Sequence, residues 1–152
     1  MLADKDFLIY SENPVVQNVI GAIGFNTSTE LSPVVDLAIT NNEVNNIAKI
    51  SVPIAEEPIK IKDNILRAIN HFEMDVIDKC RVAPQSFLQR RILVWLYQAG
   101  SVGLSPEEIA VRIGGGESAA NNVCGNVYTL RKMAVPRDII ISKNDRYFLK
   151  VR

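Results

Sequence analysis

Residues 118–149, SAANNVCGNVYTLRKMAVPRDIIISKNDRYFL, decide how the rest of the chain is read. In the first half Val123, Val127 and Leu130 recur at spacings of four and three. One face of a helix over about Ser118–Met133 is therefore apolar. Pro136 lacks an amide hydrogen and its ring crowds the preceding turn, so no helix runs through it. Ile139-Ile140-Ile141 then gives a β-favouring run, Lys143-Asn144-Asp145-Arg146 a polar turn, and Tyr147-Phe148-Leu149 a second run. This pattern predicts a β-hairpin with charged residues at its tip.

Working back from this stretch, Leu88, Ile92, Trp95 and Leu96 share one helical face that Gly100 ends. Ser105-Pro106-Glu107-Glu108 is a helix start. Ser105 is the N-cap, Pro106 the first helical residue and Glu108 the reciprocal partner of a capping box. That helix reaches about Ile113 and stops at Gly114-Gly115-Gly116. The triple glycine lacks the following Lys-Ser/Thr of a phosphate loop and follows no strand. Three helices and a hairpin are the order of a winged helix-turn-helix, predicted over residues 86–152. Trp95 lies on the apolar stripe and is read as core. Cys124 is read as a small, buried or half-buried apolar residue.

Residues 1–72 carry a different pattern. Phe7–Tyr10 is a short strand, Asn13-Pro14 a helix start, and Val15, Val16, Val19, Ile20 and Ile23 fall at helical spacing up to Gly24. A weak strand lies near Asn26–Leu31. Val34–Thr40 and Ile47–Val52 are two further apolar runs, ended by Asn41-Asn42 and Pro53. Ile61, Ile65, Leu66, Ile69 and Phe72 mark an amphipathic helix, with His71 expected near its C-terminal carbonyls. Strands alternating with helices predict a small parallel α/β sheet. Residues 73–85, which contain Pro84, show no sustained helical period. They are read as a linker, with a short strand at Val76-Ile77.

Composition limits the function. The 152 residues are 47% hydrophobic and 22% charged, which excludes a disordered chain. No apolar run is long enough to span a membrane, and Asp4, Lys5 and Asp6 stand where a signal peptide would have a basic start. Cys80 and Cys124 form no disulfide framework, so the expected compartment is cytoplasmic. One histidine and two cysteines nearly exclude a zinc site. No cofactor or metal is expected. Nothing assembles a nucleophile with a base and an orienting group, so no enzyme is predicted.

The zero net charge is split. Residues 1–80 hold six basic and twelve acidic residues, a net of −6, whereas residues 81–152 hold eleven basic and five acidic, a net of +6. A basic C-terminal half has the sign for a polyanion. The solvent side of the third helix carries Asn121, Asn122, Gly125, Asn126 and Thr129. Asn121, Asn122, Asn126 and Thr129 are the candidate base contacts, since Asn bonds adenine bidentately and Thr contacts either base class. Arg131, Lys132, Arg137, Lys143 and Arg146 are the candidate phosphate contacts. Gly125 in mid-helix costs about 1 kcal/mol against alanine, which close approach of another backbone or of DNA would offset.

Asn122-Val-Cys-Gly-Asn-Val-Tyr-Thr-Leu-Arg-Lys-Met133 resembles the recognition helix of OmpR/PhoB-type winged-helix response regulators, and Arg146-Tyr147-Phe148-Leu149 is similar to that family's last wing strand. Ser105-Pro106-Glu107-Glu108-Ile109 resembles the start of its second helix. The resemblance covers about residues 86–151, and residues 73–85 are too few for the sheet that precedes the family's first helix. Phe7–Pro14 and Val35–Asn41 resemble the first and third strands of a receiver domain, and Val52-Pro53 with the Pro58 helix its fifth strand and last helix. The phospho-acceptor position holds Asn41, the acidic pair is reduced to Ser11 and Glu12, and the lysine position holds Val52. Only about eleven residues separate Asn41 from Val52, so one strand and one or two helices are missing. The resemblance thus implies a truncated, phosphorylation-dead pseudo-receiver. What it leaves such a half is protein contact. The whole is expected to be a sequence-specific transcription regulator that binds double-stranded DNA as a homodimer through residues 1–72, independently of phosphorylation. The alternative is a protein-docking module on the same scaffold, and a small molecule in the degenerate pocket is a further possibility.

Overall fold

A computed structural model describes residues 7–32, 34–51, 57–113, 117–134 and 139–150. The chain is mixed α/β and divides into two compact units, Met1–Phe72 and Glu73–Arg152. At that division the first unit holds five basic and nine acidic residues (net −4), and the second twelve and eight (net +4).

In the first unit β1 (Leu8–Tyr10), β2 (Asn26–Ser28), β3 (Leu37–Ile39) and β4 (Ala48–Ile50) form an all-parallel sheet in the order β2-β1-β3-β4. Helix α1 (Pro14–Ala22) links β1 to β2. Asn13 Oδ1 accepts the Val15 amide at 2.9 Å, Pro14 occupies the first turn, and Gly24 at φ +106° turns the chain out of the helix. Ile9, Leu37 and Ala48 align across the strands, and Ile39 lies two residues beyond Leu37. They therefore share one sheet face. The core there includes Val16 and Ile20 of α1 and Ile61, Ile65 and Ile69 of α2 (Pro58–Cys80). Val15, counted in the apolar stripe of α1, is instead 70% exposed. Among the described residues no helix lies between β2 and β3 or between β3 and β4. The sheet order places β4 directly beside β3, the fourth position, whereas the resemblance assigned this run to a fifth strand. Val52 and Pro53 lie outside the described residues.

The linker expected at 73–85 is mostly helix. Helix α2 continues to Cys80, and Glu73, Val76, Ile77 and Cys80 are buried at helical spacing. The short strand at Val76-Ile77 does not form. Glu73 broke the apolar pattern, yet its carboxylate is buried against Arg91 at 3.4 Å and Arg90 at 3.5 Å. His71 accordingly lies in the helix interior, exposed, far from the C-terminal carbonyls. The helix stops where Arg81 adopts φ +53° and donates its amide to the Ile77 and Asp78 carbonyls. Residues 81–85 alone connect it to Ser86.

The second unit contains α3 (Phe87–Ala99), α4 (Pro106–Arg112), α5 (Glu117–Met133) and the antiparallel hairpin β5 (Ile140–Lys143) and β6 (Arg146–Leu149). Ser86 and Ser105 cap α3 and α4 by accepting the Gln89 and Glu108 amides, each at 3.1 Å. Helix α5 packs on α3 and α4, and Val123, Val127 and Leu130 meet a core that includes Ile92, Leu93, Leu96 and Ile109. Asn144 and Asp145 both take positive φ (53° and 60°), as a two-residue hairpin turn of the primed kind requires. Leu104 adds a bridge to the hairpin through reciprocal bonds with Tyr147 of 3.0 and 2.7 Å. The observed order is three helices followed by a hairpin.

Candidate nucleic-acid interface

The outer side of α5 follows from its inner side. At about 100° per residue, a buried stripe of Val123, Val127 and Leu130 puts Asn121, Gly125, Tyr128 and Lys132 on the opposite face, and all four are exposed. Asn122 and Cys124 flank them, also exposed. Tyr128 is 60% exposed, with the Lys132 ammonium 4.7 Å from its ring centroid.

The four expected base contacts separate into two pairs. Asn121 and Asn122 lie on the open side. Asn126 and Thr129 are half-buried, and their polar atoms bond within the fold. Asn126 accepts from Gln89 Nε2 of α3 at 3.2 Å and donates to the Asn122 carbonyl at 2.9 Å and to its Oδ1 at 3.1 Å. Thr129 donates to the Gly125 carbonyl at 3.0 Å. Among the described residues Gly125 approaches no other backbone, since a Cβ added there meets nothing within 4 Å. Cys124, expected to be buried or half-buried, is exposed and accepts the Tyr147 hydroxyl at 3.4 Å. Burial first, and this bond second, push the Tyr147 phenol up to about 12.

The five expected phosphate contacts also separate. Arg131 donates from Nε to the Ile140 carbonyl at 2.9 Å and from a terminal nitrogen to Ser142, and its guanidinium lies over the Tyr147 ring. Arg146 donates to the Val102 and Gly103 carbonyls, each at 3.0 Å, and pairs with Glu108 at 2.6 Å. The Arg146 hydrogen bond, ahead of its charge and of Ser105, holds the Glu108 carboxyl below the usual carboxylate range. These two guanidinia therefore fasten the hairpin, Arg131 to α5 and Arg146 to α4 and the turn before it. Lys132 and Lys143 are exposed and make no ion pair among the described residues. Arg137 lies outside the described residues. The result is an open surface with a lysine at the end of α5 and another at the hairpin tip.

Sequence reasoning missed Tyr128, Gln89 and the Glu108–Arg146 pair. Tyr128 was legible, since it stands three residues after Gly125 and four before Lys132. The selection followed polarity, where the helical angle would have found it. Gln89 and the ion pair join residues 37 and 38 positions apart from their partners, and no local pattern signals them.

At the carboxyl ends of β1 and β3, Thr40 donates to the Glu12 carboxylate at 2.7 Å and accepts the Asn42 amide at 3.1 Å. The Thr40 bond holds the Glu12 carboxyl below its ordinary value. Ser11 is buried, and Asn41 is exposed just beyond Thr40. Among the described residues no three His, Cys, Asp or Glu side chains converge, and no helix is long and apolar enough to cross a membrane.

The chain matches no protein-family model, no curated protein and no solved structure.

Proposed function

We propose that residues 86–152 are a winged helix-turn-helix that binds double-stranded DNA, and that the chain is a transcription regulator of the response-regulator type. One observation supports this most: the open face of α5, amide-rich and ending in Lys132, with a hairpin fastened beside it. A helix of this width enters a major groove, and a hairpin beside it follows the phosphate backbone. Lys132 and Lys143, with Arg137, supply the phosphate contacts. Asn121 and Asn122 supply base contacts. Arg131 and Arg146 act by holding the hairpin in place.

Action is independent of phosphorylation, because the amide of Asn41 forms no acyl phosphate and Glu12 is already engaged by Thr40. Residues 1–72 pair two copies, which sets two recognition helices about one helical turn of DNA apart. Titration of the chain with random duplex at about 50 and 200 mM salt tests the reading. Binding that weakens steeply with salt supports it. No binding at the lower salt contradicts it and favours a protein-docking role. The engagement of Arg131 and Arg146 inside the fold is the observation that keeps this second reading in view.

A further inference from the structure

We propose that α5 is selective for A·T base pairs in the major groove, with Asn121 and Asn122 addressing adenine and Tyr128, beside the bare backbone of Gly125, addressing the thymine methyl. This rests on the duplex-binding reading above.

The first argument concerns guanine. Its O6 and N7 are read most often by a two-donor cation. The only arginine of α5 is Arg131, and its Nε and one terminal nitrogen are engaged by Ile140 and Ser142 of β5. Lys132 sits at the end of the helix with its ammonium against the Tyr128 ring. The exposed stripe is thus poor in guanine-reading donors.

The second argument concerns adenine, which offers an N6 donor and an N7 acceptor on the same edge. A primary amide supplies the matching acceptor and donor. Asn121 is exposed and its side chain makes no hydrogen bond among the described residues. Asn122 Oδ1 accepts once, from Asn126, which leaves one lone pair and both of its own N–H groups. The bond from Asn126, whose own amide is held by Gln89, also orients the Asn122 side chain before any ligand arrives.

The third argument concerns thymine, whose C5 methyl is the one apolar group among the major-groove base edges. At Gly125 the helix surface is bare, with open space where a Cβ would stand. A base pair can come closer there than at any residue with a side chain. Tyr128, three residues on along the same outer face, is 60% exposed. An exposed ring on that face is a contact for a methyl group and has no use in the core.

The test is a set of titrations of the full chain with A·T-rich and G·C-rich duplexes of equal length at about 50 mM salt. The A·T-rich duplex is expected to bind about tenfold tighter or more. That advantage should shrink when deoxyuridine replaces thymidine, which removes only the methyl, and when 7-deazaadenine replaces adenine, which removes only the N7 acceptor. Neither change alters the minor groove. Tyr128→Ala and the double variant Asn121→Ala/Asn122→Ala should each bring the ratio of A·T-rich to G·C-rich affinity down toward one, and a ratio that stays at the value of the unaltered chain in both variants overturns the proposal. Equal or tighter binding to the G·C-rich duplex overturns the proposal and leaves duplex binding intact. An A·T preference that survives both base analogues also overturns it, since the discrimination then lies in the minor groove. Absence of binding to either duplex overturns the proposal together with the reading beneath it.

Discussion

Two glycines do opposite work. Gly103 has φ +69°, and a Cβ there would stand 2.5 Å from the Tyr147 carbonyl oxygen and 2.7 Å from the Phe148 ring. Gly103→Ala should destabilise the second unit by about 2 kcal/mol or more, seen as a lower midpoint in thermal unfolding. Gly125 is helical and open, so Gly125→Ala should raise stability by up to about 1 kcal/mol. The same change should weaken duplex binding, because a methyl group then stands between helix and bases. Tighter or unchanged binding would remove Gly125 from the interface. Glu108 gives a pH signature. Its carboxyl sits lower in the fold than in the unfolded chain, so the stability it contributes is present above the unfolded value and is lost as pH falls through the folded one. The stability gap between the protein and Arg146→Ala in chemical denaturation should therefore be widest at neutral pH and narrow in acid, down to the share held by the Val102 and Gly103 carbonyls. The residue types at these positions were legible; their partners were not. Arg131 and Arg146 read as phosphate contacts because a sequence displays a charge without showing the carbonyls that surround it.

Elements were legible where their signals are local. The caps at Asn13 and Ser105, the stop at Gly24 and the Asn144-Asp145 turn are set by residues within a few positions, and each is found where expected. The end of α2 was not legible, because it depends on Glu73 being buried by arginines 17 and 18 residues away. The Leu104 bridge was missed for the same reason, since its partner Tyr147 lies beyond α4, α5, β5 and a turn. Glu73 offers the test of this element. Glu73→Ala leaves the 2%-exposed Arg91 without that carboxylate and should cost on the order of 3 kcal/mol in chemical denaturation. Glu73→Leu with Arg91→Met should recover much of the loss. A Glu73→Ala variant of unchanged stability would show that the pair does not hold this part of α2.

At the scale of the whole molecule, a −4 unit and a +4 unit share one chain and divide after Phe72, and residues 73–85, read from the sequence as a linker, belong to the second unit. The parallel sheet was legible from its apolar runs and from α1 between the first two, although among the described residues no helix separates β2, β3 and β4. Its order was not, because strand neighbours in a parallel sheet are set by crossovers that leave no periodic trace. The proposed pairing of two copies through residues 1–72 predicts a solution mass of twice 16.9 kDa. A monomeric mass with and without DNA would remove the dimer from the account. The most direct test of the central claim is a backbone amide NMR titration of the isotope-labelled chain with an A·T-rich duplex. Shifts concentrated at residues 121–132 and at the 143–145 turn are expected. Shifts confined to residues 7–72, or none at all, would contradict it.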